Sequence, residues 1–135
     1  MSIIVGWTPT PEGDAALSHA IAEAATRGTD LVVVNVSATS DPSETTFATD
    51  RELEHVRRRL EGAGARYALR QLVRGRTPAE EIVGLAAAED SELIVIGLRH
   101  RSPVGKLLLG SRSQAILLDA PCPVLAVKAE NLLAA

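Results

Sequence analysis

Leu93 to Lys128 reads LIVIGLRHRSPVGKLLLGSRSQAILLDAPCPVLAVK, and this stretch holds one complete unit of a parallel α/β fold. Leu93–Gly97 is a short, continuous apolar run closed by glycine, the composition of a strand buried on both faces. Ser111-Arg112-Ser113-Gln114 is a helix start signal ahead of Ala115 and Leu118. Pro121 and Pro123 bracket the turn into Val124–Lys128, a second buried run. Two buried strands joined through a helix run parallel, because the crossover carries the chain back to the end of the sheet where it began.

The same alternation extends toward the N-terminus. Ile3–Trp7 and Leu31–Ser37 are further apolar, β-branched runs, and Tyr67–Val73 alternates in a way that suits a strand with one wetter face at a sheet edge. Thr10 followed by Pro11 opens a helix that places Leu17, Ile21 and Ala24 on one face. Thr49-Asp50-Arg51-Glu52 is a capping box ahead of Leu53, Val56 and Leu60, with Gly62 and Gly64 at its end. Thr77-Pro78-Ala79-Glu80 is a second, ahead of Ile82, Leu85 and Ala86. The order β-α-β-α-β-α-β-α-β predicts an α/β domain, a doubly wound five-stranded parallel sheet with helices on both faces, over residues 1–135. In such sheets ligands lie beyond the carboxyl ends of the strands, where the winding reverses. Ala38–Thr46 is a polar connecting loop, too short for a linker between domains.

Composition narrows the function. The 135 residues are 46% hydrophobic and 2% aromatic, with Trp7, Phe47 and Tyr67 standing alone, so Ala, Val, Leu and Ile fill the core. A net charge of -3 and the lack of stacking aromatics argue against a nucleic-acid binder. Cys122 is the only cysteine, which excludes a disulfide framework and a Cys-based metal site and points to a reducing compartment, the cytoplasm. Ser2–Trp7 has no basic flank or cleavage pattern of a signal peptide, and no segment approaches the roughly 20 apolar residues of a membrane span. The Ala/Leu-rich tail after Lys128 receives no role.

Between Gly97 and Gln114 lies a long, cationic, glycine-punctuated loop carrying Arg99, Arg101, Lys106 and Arg112. A helix start behind such a loop can seat an anion: its first amides have no helical partner, the dipole is positive there, and a glycine such as Gly110 lets a phosphate come close to the backbone. The plainer alternative is an ordinary helix start beside solvated charges. Leu107, Leu108 and Leu109 would pin the loop to the domain.

This segment resembles the nucleotide-binding signature of the universal stress protein family, Gly-x2-Gly-x9-Gly-Ser/Thr. Gly97, Leu98-Arg99, His100, nine residues and Gly110-Ser111 reproduce its spacing, with His100 in place of the second glycine. Asp119–Lys128 is similar to the family's closing turn and last strand. The resemblance implies the strand order 3-2-1-4-5, an adenine-nucleotide site for ATP or AMP, with or without magnesium, and a homodimer paired through Val124–Val127. It assigns the ribose and phosphates to Gly97, Arg99, His100, Gly110, Ser111 and Arg112, and adenine to the backbone around Val36. At the end of the first strand, in Val5-Gly6-Trp7-Thr8-Pro9, Thr8 occupies the position where many members carry an acid. Threonine still hydrogen-bonds there but lacks a carboxylate's pair of acceptors.

Other motifs fall away. Gly105-Lys106 lacks both the upstream glycine and the following Ser or Thr of a phosphate-binding P-loop. His19 and His55 have no second ligand at helical spacing. Cys122 between two prolines reads as a small hydrophobe, and Arg57, Arg58 and Arg59 beside Glu52, Glu54 and Glu61 as a solvated, internally paired face. No nucleophile, base and orienting group come together. The leading reading is a nucleotide-binding stress or signalling module; the alternatives are a dimeric interaction protein that binds no nucleotide and a weak ATPase. The ATPase reading requires phosphate release from ATP that Ser111→Ala abolishes.

Overall fold

The computed structural model describes residues 1–37, 47–72, 77–98 and 110–129. Five strands, β1 (Ser2–Gly6), β2 (Asp30–Val36), β3 (Tyr67–Leu72), β4 (Leu93–Leu98) and β5 (Val124–Lys128), alternate with four helices, α1 (Pro11–Arg27), α2 (Asp50–Gly62), α3 (Pro78–Ala88) and α4 (Ser111–Asp119). The strands form one sheet in the order β3-β2-β1-β4-β5, every neighbouring pair parallel. This is the doubly wound parallel sheet expected from the alternation of elements, in the strand order that the family resemblance implies, with β3 at an edge. Val73, the loop 38–46 and the tail beyond Ala129 lie outside the described residues.

Strand alternation divides the core into two layers. Ile3, Val5, Leu31, Val33, Leu93 and Val95 point to one side and pack with Leu17 and Ala20 of α1 and Val56 and Leu60 of α2. Ile4, Val32, Val34, Ile94 and Ile96 point to the other, against Ala79, Ile82 and Ala86 of α3 and Ile116 of α4. Burying both faces requires the unbroken aliphatic composition of these strands. The edge strand β3 differs: Arg70 is exposed, and its guanidinium meets Glu89 at 3.3 Å.

Three helices start as their sequences dictate. The Thr10 hydroxyl accepts from Gly13 N at 3.1 Å, with Pro11 at the first helical position. Thr49 and Glu52 form a reciprocal capping box, and Thr77 Oγ1 accepts from Glu80 N at 3.2 Å. The fourth departs from expectation. Its cap is Gly110, one residue ahead of Ser111, and among the described residues no side chain caps its first turn. Its buried residue is Ile116, whereas Leu118 is 82% exposed. Replacing Thr49 by Ala removes one half of the capping box and should cost about 1 kcal/mol of stability in urea unfolding.

Candidate functional site

In a parallel sheet every strand delivers its chain to the same edge, and α4, running back antiparallel to the strands, begins at that edge. Thr8 and Pro9 follow β1, Val36 ends β2, Gly97 lies one residue before the end of β4, and Gly110, Ser111 and Arg112 open α4. These positions surround the point where the chain passes from β1 outward on one side to β2 and on the other to β4, the switch point of the winding. Arg99 and His100 lie outside the described residues.

Beside β1, β2 presents backbone. Leu31 N donates to Arg66 O and Ser37 N to Leu72 O, so the odd-numbered amides of β2 face β3. The even-numbered residues therefore face β1, as the bond from Trp7 N to Val34 O shows. The peptide groups of Val36 point to the β1 side beyond Gly6, the last β1 residue in the ladder. The Val36 side chain is buried on the α3/α4 face, so the backbone is what this residue offers a ligand.

Thr8 turns away from the strand. Its hydroxyl pairs with the Thr10 hydroxyl at 2.8 Å, and its carbonyl accepts from Thr10 N at 2.8 Å. Trp7 is buried and donates its indole N–H to Asp14 at 3.2 Å. Sequence reading missed the residue that ties this corner together, Asn35, which is wholly buried in β2. Its Nδ2 donates to Trp7 O at 3.0 Å, while its Oδ1 accepts from Ala48 N at 3.2 Å and Gln71 Nε2 at 3.0 Å. The available signal was a polar side chain inside the run Val32-Val33-Val34-Asn35-Val36, since a fully buried amide is tolerated only with partners.

Gly97 has a packing reason to be glycine. A Cβ there would lie 2.3 Å from the Glu12 carbonyl oxygen, and a Cβ on Gly13 would lie 2.0 Å from Thr8 O. The first turn of α1 is thus seated directly on the backbone at the ends of β1 and β4. Gly110 is different. Its φ of -68 is open to any residue, and among the described residues nothing lies within 4 Å of a Cβ placed there.

The first turn of α4 carries the anion-accepting chemistry. Gln114 N closes the first helical bond to Gly110 O at 3.0 Å, so the amides of Ser111, Arg112 and Ser113 precede the helical ladder, and Gly110 brings no side chain to cap them. Ser111 and Arg112 are exposed. The helix dipole and the Arg112 guanidinium both favour negative charge at this terminus. Cys122 does not add a nucleophile: burial pushes its thiol pKa up, away from the reactive thiolate. Among the described residues no three His, Cys, Asp or Glu side chains are grouped to hold a metal, and no helix is long and apolar enough to cross a membrane.

Sheet order and strand direction together define a doubly wound α/β protein. The chain belongs to the universal stress protein family, whose profile matches residues 1–128. A universal stress protein of Mycolicibacterium smegmatis is 45% identical over 126 residues, covering 93% of this chain and 96% of its own. Among solved structures, a universal stress protein from Archaeoglobus fulgidus superposes with a TM-score of 0.78 at 30% identity, over 94% of this chain and 97% of its own. A structure of the universal stress protein from the same organism in complex with dAMP gives 0.72 at 26% identity, over 94% and 96%.

The glycine geometry separates packing from binding. Gly97→Ala forces a carbon into the α1 backbone and should cost at least about 1–3 kcal/mol, whereas Gly84→Ala, at an exposed position inside α3 with open space around it, should gain up to about 1 kcal/mol. Denaturant midpoints of the two variants against the parent protein check both signs.

Proposed function

We propose that this chain is an adenine-nucleotide-binding stress or signalling module, with the phosphates of ATP or AMP at the start of α4 and the adenine against the end of β2. The observation that carries the reading is the first turn of α4, where amides without a side-chain cap stand at the carboxyl edge of the sheet. In this reading the Ser111 and Arg112 amides, the Ser111 hydroxyl and the Arg112 guanidinium meet phosphate oxygens. Arg99 and His100 complete the phosphate side. The N–H and C=O of Val36, one donor and one acceptor in line, match the adjacent acceptor and donor on the Watson–Crick edge of adenine. Thr8 and Pro9 border the nucleoside. The dAMP complex of the Archaeoglobus fulgidus protein supports the ligand class.

Magnesium, when it accompanies ATP, is held on phosphate oxygens and water rather than by a protein cage. The groups assembled here bind and orient and do not transfer a phosphoryl group, so ATP turnover is not expected. The module works in the cytoplasm as a homodimer, with Val124–Val127 of β5 at the open sheet edge as the pairing strand. A dimeric interaction protein without nucleotide is the second reading. It is favoured by the engagement of the Thr8 hydroxyl with Thr10 and by the seating of α1 on Gly97.

Gly110→Asp separates these readings, because its effects on stability and on binding have opposite signs. A carboxylate at the cap position accepts from the first-turn amides, so the variant should be as stable as the parent or more so by about 0.5 kcal/mol. The same carboxylate fills the phosphate seat with negative charge. Isothermal titration with ATP and AMP, with and without magnesium, should show saturable binding to the parent, weakened by added salt and lost in the variant. Absence of heat from either nucleotide with the parent at millimolar ligand would favour the second reading. Size-exclusion chromatography at micromolar protein should give a dimer; a monomer would remove the β5 pairing.

A further inference from the structure

The strongest feature that the proposed function leaves unused is the pair of side-chain amides formed by buried Asn35 and half-buried Gln71. Asn35 leaves no doubt about its orientation, because both of its main-chain partners have fixed polarity: Trp7 O only accepts and Ala48 N only donates, at 3.0 and 3.2 Å. Gln71 is fixed in the same way, since its Nε2 donates to Ala48 O at 2.7 Å as well as to Asn35 Oδ1 at 3.0 Å. Ala48, itself buried, is therefore held by both its N–H and its C=O, in the manner of a residue in a β-ladder, although the partners are side chains. One group spans the end of β1, the end of β3 and the segment leading into the Thr49 cap of α2.

From this we infer that Asn35 is a positioning residue for the nucleoside end of the site; the inference rests on the nucleotide-binding reading above. Trp7 O is the last main-chain acceptor before Thr8 and Pro9, and the bond from Asn35 sets the angle at which that corner leaves the sheet. The same residue precedes Val36, whose backbone faces the corner. Asn35 thus fixes the spacing between the two walls that would hold the base, while the phosphate seat on α4 belongs to a different element and does not depend on it. A primary amide is required because the position must donate on one side and accept on the other. Asp at position 35 keeps the volume and the acceptor but sets an oxygen against Trp7 O.

The test compares AMP with ribose 5-phosphate, which lacks the base. Isothermal titrations of the full-length parent, Asn35→Asp and Gln71→Leu are run at a temperature where each is folded, verified by circular dichroism and thermal melting. Asn35→Asp should weaken AMP by roughly tenfold or more and leave ribose 5-phosphate within about twofold of the parent. Gln71→Leu, on the half-buried edge strand, should show the same pattern at smaller amplitude and carries the test if Asn35→Asp does not fold. An unchanged AMP affinity in a folded variant overturns the inference, and so does a parallel loss for both ligands, which a merely structural role would produce. If the parent itself binds neither ligand, the nucleotide reading fails first and the positioning role falls with it.

Discussion

The close contact between the first turn of α1 and the strand ends beneath it governs how this molecule is arranged. Gly13 rests on the Thr8 carbonyl and Gly97 faces the Glu12 carbonyl with no room for a side chain at either place. This contact sets the height of α1 over β1 and β4, and through Ala16, Leu17, Ala20 and Ala24 it anchors one of the two core layers. The end of β2 and the start of α4 lie at the same edge of the sheet, outside this contact.

Buried polar bonds complement that packing. Asn35 contributes no hydrophobic free energy, yet its loss would leave a buried carbonyl and a buried amide without partners, a cost of about 1–3 kcal/mol for each. A Val or Leu at this position would suit the rest of β2. An amide here instead specifies one arrangement of three chain segments, which aliphatic packing alone does not.

The fold was legible because its signals were redundant. Strand runs buried on both faces, Thr-Pro starts at Thr10 and Thr77, and the Thr49/Glu52 box all agreed with one another and with the structure. The start of α4 was read at Ser111, where the helix begins, but its cap is the preceding Gly110, which propensity alone would not choose over Ser111. The outward Leu118 was not foreseen either: in a helix of nine residues, apolar side chains occur on more than one face, and the sequence does not say which face meets α3. At the site, the glycine spacing revealed the helix terminus. The Asn35 network was hidden because its partners, Trp7, Ala48 and Gln71, are far apart in the chain and two of them contribute only backbone.

The two edges of the sheet are chemically unlike. On β3, Arg70 and its partner Glu89 set a charged pair beside the strand, and the neighbouring Arg66 is bound to Asp30 at 3.0 Å. On β5 the run Val124–Val127 carries no charge until Lys128. A molecule with two adhesive edges can add copies without end, as a growing fibril does. A molecule with one can join only a second copy presenting the same edge, and the pair is then closed by a two-fold axis. Charges of the kind set beside β3 guard an edge against strand addition, so the homodimer proposed above would use only the β5 edge.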